Sequence, residues 1–177
     1  MVLALAEAII FFRDPRHFFI ADTLDWMAYR HRSLREFLGA FVHADPAFWY
    51  RPLSQRTVGS LLFPLAGLNP LPYRVVGFML FFACTVALYL LAKSLTESRR
   101  AAWFTVLLFT PHLVHAFVTY DVAFTPELMF TLFFTGSTTF YVRYLKEKKR
   151  TDLVVSSLLF AGSLLSKETP VGLPFLL

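Results

Sequence analysis

Asp22 and Asp25 stand three positions apart, so a helix would carry both carboxylates on one face, close enough to perturb each other's ionisation. One could act as a general base. The plainer reading is that Asp22 caps a helix beginning near Leu24 and Asp25 lies in its first turn, where negative charge is favoured. Arg51 follows Trp49-Tyr50, aromatics suited to a bilayer surface, and a guanidinium there can grip a phosphate bidentately or simply anchor to ordinary lipid headgroups. His112 and His115 share a helix face, with Asp121 just beyond. That spacing is compatible with a two-histidine, one-carboxylate metal site, although such histidines more often line a polar crevice. Glu127 sits about a turn into an apolar run after Pro126 and calls for a cation or water, with Lys167 a natural partner. Finally, Ser166-Lys167-Glu168 closes one apolar run ahead of Pro170 and Leu173-Pro174. A cation and an anion at such a boundary are costly in lipid and are kept for an ion, a phosphate or a catalytic partner. Snorkelling from a helix end accounts for Lys167 but not for the acid that follows it.

The elements that must carry these residues are apolar and helical. Of the 177 residues, 56% are hydrophobic and 18% aromatic, with a mean hydropathy of +0.56, well above average soluble usage. A soluble helical domain would have to bury several runs of nearly twenty apolar residues with almost no charge. The expected fold class is therefore all-α, a polytopic transmembrane helical protein. The formal charge of +5 lies in the gaps between apolar runs and forms no stripe with interleaved aromatics, which argues against nucleic acid. Cys84 is the only cysteine, so no disulfide framework or cysteine metal site is available.

Residues 1–12 read as a clipped first span, since no basic residue precedes the apolar core and no small-residue cleavage site closes it. Residues 13–56 are too charged to cross a bilayer and form a large first outer loop carrying interfacial helices. Residues 57–67 are apolar but short, an interfacial helix broken by Gly67, Asn69, Pro70 and Pro72. Spans are expected at 73–92, 101–119, 122–142 and 153–166, with a further apolar segment starting at 171–177, so that the chain reads as the amino-terminal piece of a longer membrane domain. Two basic gaps, Lys93 to Arg100 and Arg143 to Arg150, are separated by a pair of spans and share the cytoplasmic side under the positive-inside rule. The first loop, Asp121 and Lys167-Glu168 then share the outer face.

The order of an acidic residue after the first span, Tyr50-Arg51-Pro52-Leu53-Ser54, Gly67-Leu68-Asn69-Pro70 with Tyr73, and Ser166-Lys167-Glu168 before Leu173-Pro174 resembles the multispanning O-mannosyltransferases that carry tetratricopeptide repeats. It also resembles their bacterial relatives in the GT-C class of membrane glycosyltransferases that use polyprenyl-phosphate sugars. The resemblance runs from about Phe11 to Leu177, the amino-terminal half of that membrane domain, and no repeat region is present. It implies sugar transfer from a polyprenyl-phosphate donor to a protein or glycan acceptor at the outer face of a bacterial inner membrane. Asp22, with Asp25 as neighbour, would take the acidic role, and Arg51, Lys167 and Glu168 would attend the donor phosphate. His112, His115, Asp121 and Glu127 would line a polar crevice, and a divalent metal is left open. Where the repeat-containing proteins tend to have a His after the Tyr and an Asn three further on, this chain has Arg74 and Gly77; their His-Pro pair followed by Glu becomes Thr110-Pro111, with His115 at the acid's place. These departures favour a more distant, bacterial-type transferase. A transporter or lipid-binding membrane protein is the rival class, and an inactive truncated transferase a third reading.

Overall fold

The computed structural model describes residues 33–43, 50–111 and 121–169. Among these residues every regular element is helical, and the fold is all-α. A short helix α1 (Leu34–Gly39) starts where the Ser33 side chain accepts the Glu36 amide at 3.2 Å, an ordinary N-cap. A π-helical stretch, Pro52–Thr57, runs directly into α2 (Val58–Ala66). Pro52 opens it without penalty, because the first turn has no intrahelical acceptor for that missing amide. Gly67 then reverses the chain at φ 53°, ψ −126°, a region closed to residues with a Cβ.

Helix α3 (Pro70–Thr96) is capped by the Asn69 side chain, which accepts from the Leu71 amide. It is the one described helix long and apolar enough to cross a membrane. Glu97, in the left-handed conformation, ends it, and Ser98 caps α4 (Arg99–Phe109). After the gap a 3₁₀ turn (Val122–Phe124) leads into α5 (Thr125–Glu147). Left-handed Lys148 ends α5, and α6 (Arg150–Ser166) returns.

Helices α5 and α6 pack antiparallel, and small residues let them approach. Ser137 and Ser156 each donate their hydroxyl to the other's backbone carbonyl at 2.9 Å. Gly162 lies under the Phe133 ring and Gly136 under Leu159. Such hydroxyl pairs and small-residue contacts hold helices together where no hydrophobic driving force acts between them. Helix α3 lies along α5: Cys84 donates its S–H to the Leu128 carbonyl at 3.2 Å, and Phe81, Cys84 and Leu128 form a buried cluster with Phe109 and Leu132 packed against it. A second cluster, Tyr73 with Val122, receives Leu62, Phe63 and Ala66 of α2.

Beside these apolar clusters, hydroxyl side chains are buried and large apolar ones are exposed. Thr85, Thr135, Ser137, Thr139, Ser156, Ser163 and Ser166 are buried, whereas Val75, Met79, Phe82, Val86 and Leu90 form an exposed stripe on α3 at helical spacing, and Trp103, Phe104, Leu107 and Leu108 are exposed on α4. Contiguous exposed apolar surface of this extent marks a face that meets lipid or another apolar partner.

Candidate functional site

The amino-terminal ends of α3 and α5, the carboxyl-terminal end of α6 and the π-helical stretch meet at one end of the molecule. The π-helix is docked onto α6 by the fully buried Ser54, whose hydroxyl donates to the Ser166 carbonyl at 2.6 Å. That bond satisfies one of the orphan carbonyls a helix leaves at its carboxyl end. A π-helix is rare outside functional sites, and here it sets the Arg51 side chain against the residues that follow α6.

Lys167 leaves α6 with an extended backbone, φ −160° and ψ 151°. In extended chain, successive side chains point to opposite sides, and this explains why an acid directly follows the lysine. Lys167 turns to α5, where its Nζ donates to Glu127 Oε1 at 2.7 Å. Glu168 turns to the π-helix, where its two carboxylate oxygens accept from Arg51 Nε at 2.9 Å and from a terminal guanidinium nitrogen at 2.6 Å. The fork-on-fork geometry is the strong form of the pair.

Exposure differs across the cluster. Arg51 is 15% exposed and Glu168 48%, while Lys167 and Glu127 stand at 22% and 29%. The guanidinium is thus sunk in the protein and its carboxylate partner covers it from the solvent side. The hydrogen bond from Arg51 holds the Glu168 carboxyl below its ordinary value of 4.5, with burial opposing and the Arg51 and Lys167 charges assisting. Glu127 occupies the first turn of α5 behind the fully buried Pro126, where the helix dipole favours an anion. Its second oxygen, Oε2, is buried with no hydrogen-bond partner among the described residues.

Of the candidate residues, Arg51, Glu127, Lys167 and Glu168 are brought together. Asp121 lies at the same end, capping the 3₁₀ turn through the Ala123 amide at 3.0 Å. Asp22, Asp25, His112 and His115 lie outside the described residues. Among the described residues no three His, Cys, Asp or Glu side chains gather to hold a metal ion. Arg74 is a member of this end that the sequence reading noted only as a departure from a pattern: on the first turns of α3, it is 3% exposed. The available signal was an arginine near the start of a largely apolar 27-residue helix.

Among the described residues the architecture is all-α, with a long apolar helix and charged side chains collected at its amino-terminal end. Residues 52–177 match the dolichyl-phosphate-mannose-protein mannosyltransferases, and the chain belongs to that family of membrane glycosyltransferases. No curated protein and no solved structure matches it.

Proposed function

We propose that this chain belongs to a multispanning glycosyltransferase that moves a sugar from a polyprenyl-phosphate donor to a protein hydroxyl at the outer face of the membrane. The observation that carries the reading is the meeting of Arg51 and Lys167, each held by a carboxylate, at one end of the helices in a chain of this family. In the reaction the acceptor oxygen forms a bond to the anomeric carbon as the bond from that carbon to the phosphate oxygen breaks. The departing polyprenyl phosphate keeps the electron pair, and cations already in place stabilise its charge without reorganising. The acceptor proton passes to a carboxylate, for which Asp22, with Asp25 beside it, is the sequence's candidate.

Arg51 and Lys167 are occupied in the structure, so donor binding is an exchange of partners. The phosphate takes the fork of Arg51 from Glu168, whose half-exposed side chain can turn to water while a bidentate contact to phosphate replaces the one to the carboxylate. The Glu127–Lys167 pair, more enclosed, keeps the second cation in position. The expected orientation puts this end outside and the basic turns at Glu97 and Lys148 on the cytoplasmic side. Helices α3 to α6 then serve as spans, and their exposed apolar stripes face lipid.

The test is transfer from a polyprenyl-phosphate sugar to a hydroxyl-bearing peptide by the intact protein and its Asp22→Asn variant. The reading expects transfer by the wild type and its loss in the variant with membrane insertion unchanged. Full activity of the variant would remove Asp22 from the mechanism.

A further inference from the structure

At the end of the helices opposite Arg51, the last turns of α3 and α5 line an open cavity of about 480 Å³, within the range that small ligands fill. We propose that it binds the phosphate-bearing headgroup of an anionic phospholipid. The inference is independent of the transferase reading, since it uses none of the residues assigned to sugar transfer.

The charges lining the cavity decide what it would take. Three cations, Lys93, Arg143 and Lys146, and two carboxylates, Glu97 and Glu147, contribute to its wall. Both carboxylates are already engaged: Glu97 by Lys146 at 2.5 Å and Glu147 by Lys149, outside the cavity, at 2.6 Å. Lys146 is further fixed by the Ser94 carbonyl at 2.6 Å. The remaining two cations are not so committed. Arg143 forms an ion pair with the buried Asp152, but at 3.7 Å the contact is too long for a hydrogen bond and leaves the guanidinium's donors available. Its guanidinium lies 5.2 Å from the Phe140 ring centre, which orients it without neutralising it. Lys93 has no ion-pair partner among the described residues, and its side chain is exposed at the rim.

A planar fork and a flexible ammonium lining the same cavity suit a phosphodiester, and basic pockets between helices are where acidic headgroups lodge. The rest of the wall says which source of phosphate fits. Leu90 and Phe140 line the cavity, and Leu90 belongs to the exposed apolar stripe of α3. An acyl chain can therefore run from the cavity along that stripe, whereas a free phosphate would leave the apolar wall unused.

The experiment is native mass spectrometry of the intact protein in neutral detergent, titrated separately with phosphatidylglycerol, phosphatidylcholine and inorganic phosphate. Phosphatidylglycerol is expected to bind about tenfold or more tightly than phosphatidylcholine, and the Lys93→Gln and Arg143→Gln variants to lose about tenfold between them. Lys93 lies on the surface, so its single variant keeps the test valid if the Arg143 variant fails to fold. The control Lys148→Gln, outside the cavity, should bind as wild type. Equal binding of the two lipids, or a Lys93→Gln variant that retains phosphatidylglycerol fully, overturns the proposal. Inorganic phosphate binding as tightly as phosphatidylglycerol would also overturn it, by assigning the cavity to the free ion.

Discussion

Replacing Lys167 by Met strands the Glu127 carboxylate, and the structure sets the size of the effect. The pair is 2.7 Å long, and Glu127 Oε2 is already buried without a hydrogen-bond partner among the described residues, so among those residues the lysine is what holds the carboxylate. Breaking a fully buried pair costs about 3–5 kcal/mol, while an exposed pair is worth about 1 kcal/mol or less. With both side chains less than a third exposed, the cost of Lys167→Met should fall between these limits, at about 2 kcal/mol. For a chain of this length that is a fall in melting temperature of roughly 4–8 °C. The assay is thermal unfolding of the intact protein in lipid nanodiscs. Adding Glu127→Gln removes the stranded charge, so the double variant should recover at least half of the loss. If Lys167→Met melts with the wild type, or if the two substitutions simply add, the pair does not hold α5 to the end of α6.

Three further outcomes follow from the same geometry. Glu168→Gln removes a stabilising contact that exists while the carboxyl is ionised. Its folded-state value is depressed by Arg51, so the contribution is present above the ordinary value of 4.5 and fades as pH falls through the lower folded value. Melting curves of wild type and variant should therefore differ slightly at pH 6 and converge in acid below pH 4.5; curves that differ most in acid would contradict the sign. Ser137→Ala should destabilise the α5–α6 contact by about 0.6–2 kcal/mol, and combining it with Ser156→Ala should cost less than the sum, because the two hydroxyls share one reciprocal contact; strict additivity in unfolding measurements would count against it. Gly67→Ala should cost about 1–3 kcal/mol from backbone strain alone, because open space surrounds the site while φ is +53°, and an unchanged melting temperature would show that the turn relaxes.

The sequence exposes the helices more readily than it exposes who pairs with whom. The apolar run 73–92 marks the helix realised as Pro70–Thr96, and Asn69, Pro70 and Pro72, which read as breakers of the helix before it, cap and open this one. Its ends differ from the apolar window 73–92: proline is tolerated in a first turn, and Lys93 to Thr96 continue the helix until Glu97 turns left-handed. The Lys167–Glu127 contact was foreshadowed because each borders an apolar run where an unpaired charge is costly. The Arg51–Glu168 fork was not, since Arg51 reads as a phosphate ligand and the two residues lie 117 positions apart. Nor does local sequence disclose the π-helix, which depends on Ser54 reaching the end of α6. The buried hydroxyls of α5 and α6 pass unnoticed in an apolar run, although in a membrane setting they are where helices meet.

The most direct test of the exchange of partners at Arg51 is the affinity of the intact protein for a polyprenyl phosphate, measured for wild type, Arg51→Gln and Glu168→Gln in lipid nanodiscs. If the guanidinium serves the donor phosphate and Glu168 competes for it, Arg51→Gln should bind about tenfold or more weakly, the loss of one charge-assisted fork, while Glu168→Gln binds as tightly as wild type or tighter. Affinity unchanged in Arg51→Gln, or lost equally in both variants, would mean that the fork is only a structural clasp between the π-helix and the end of α6.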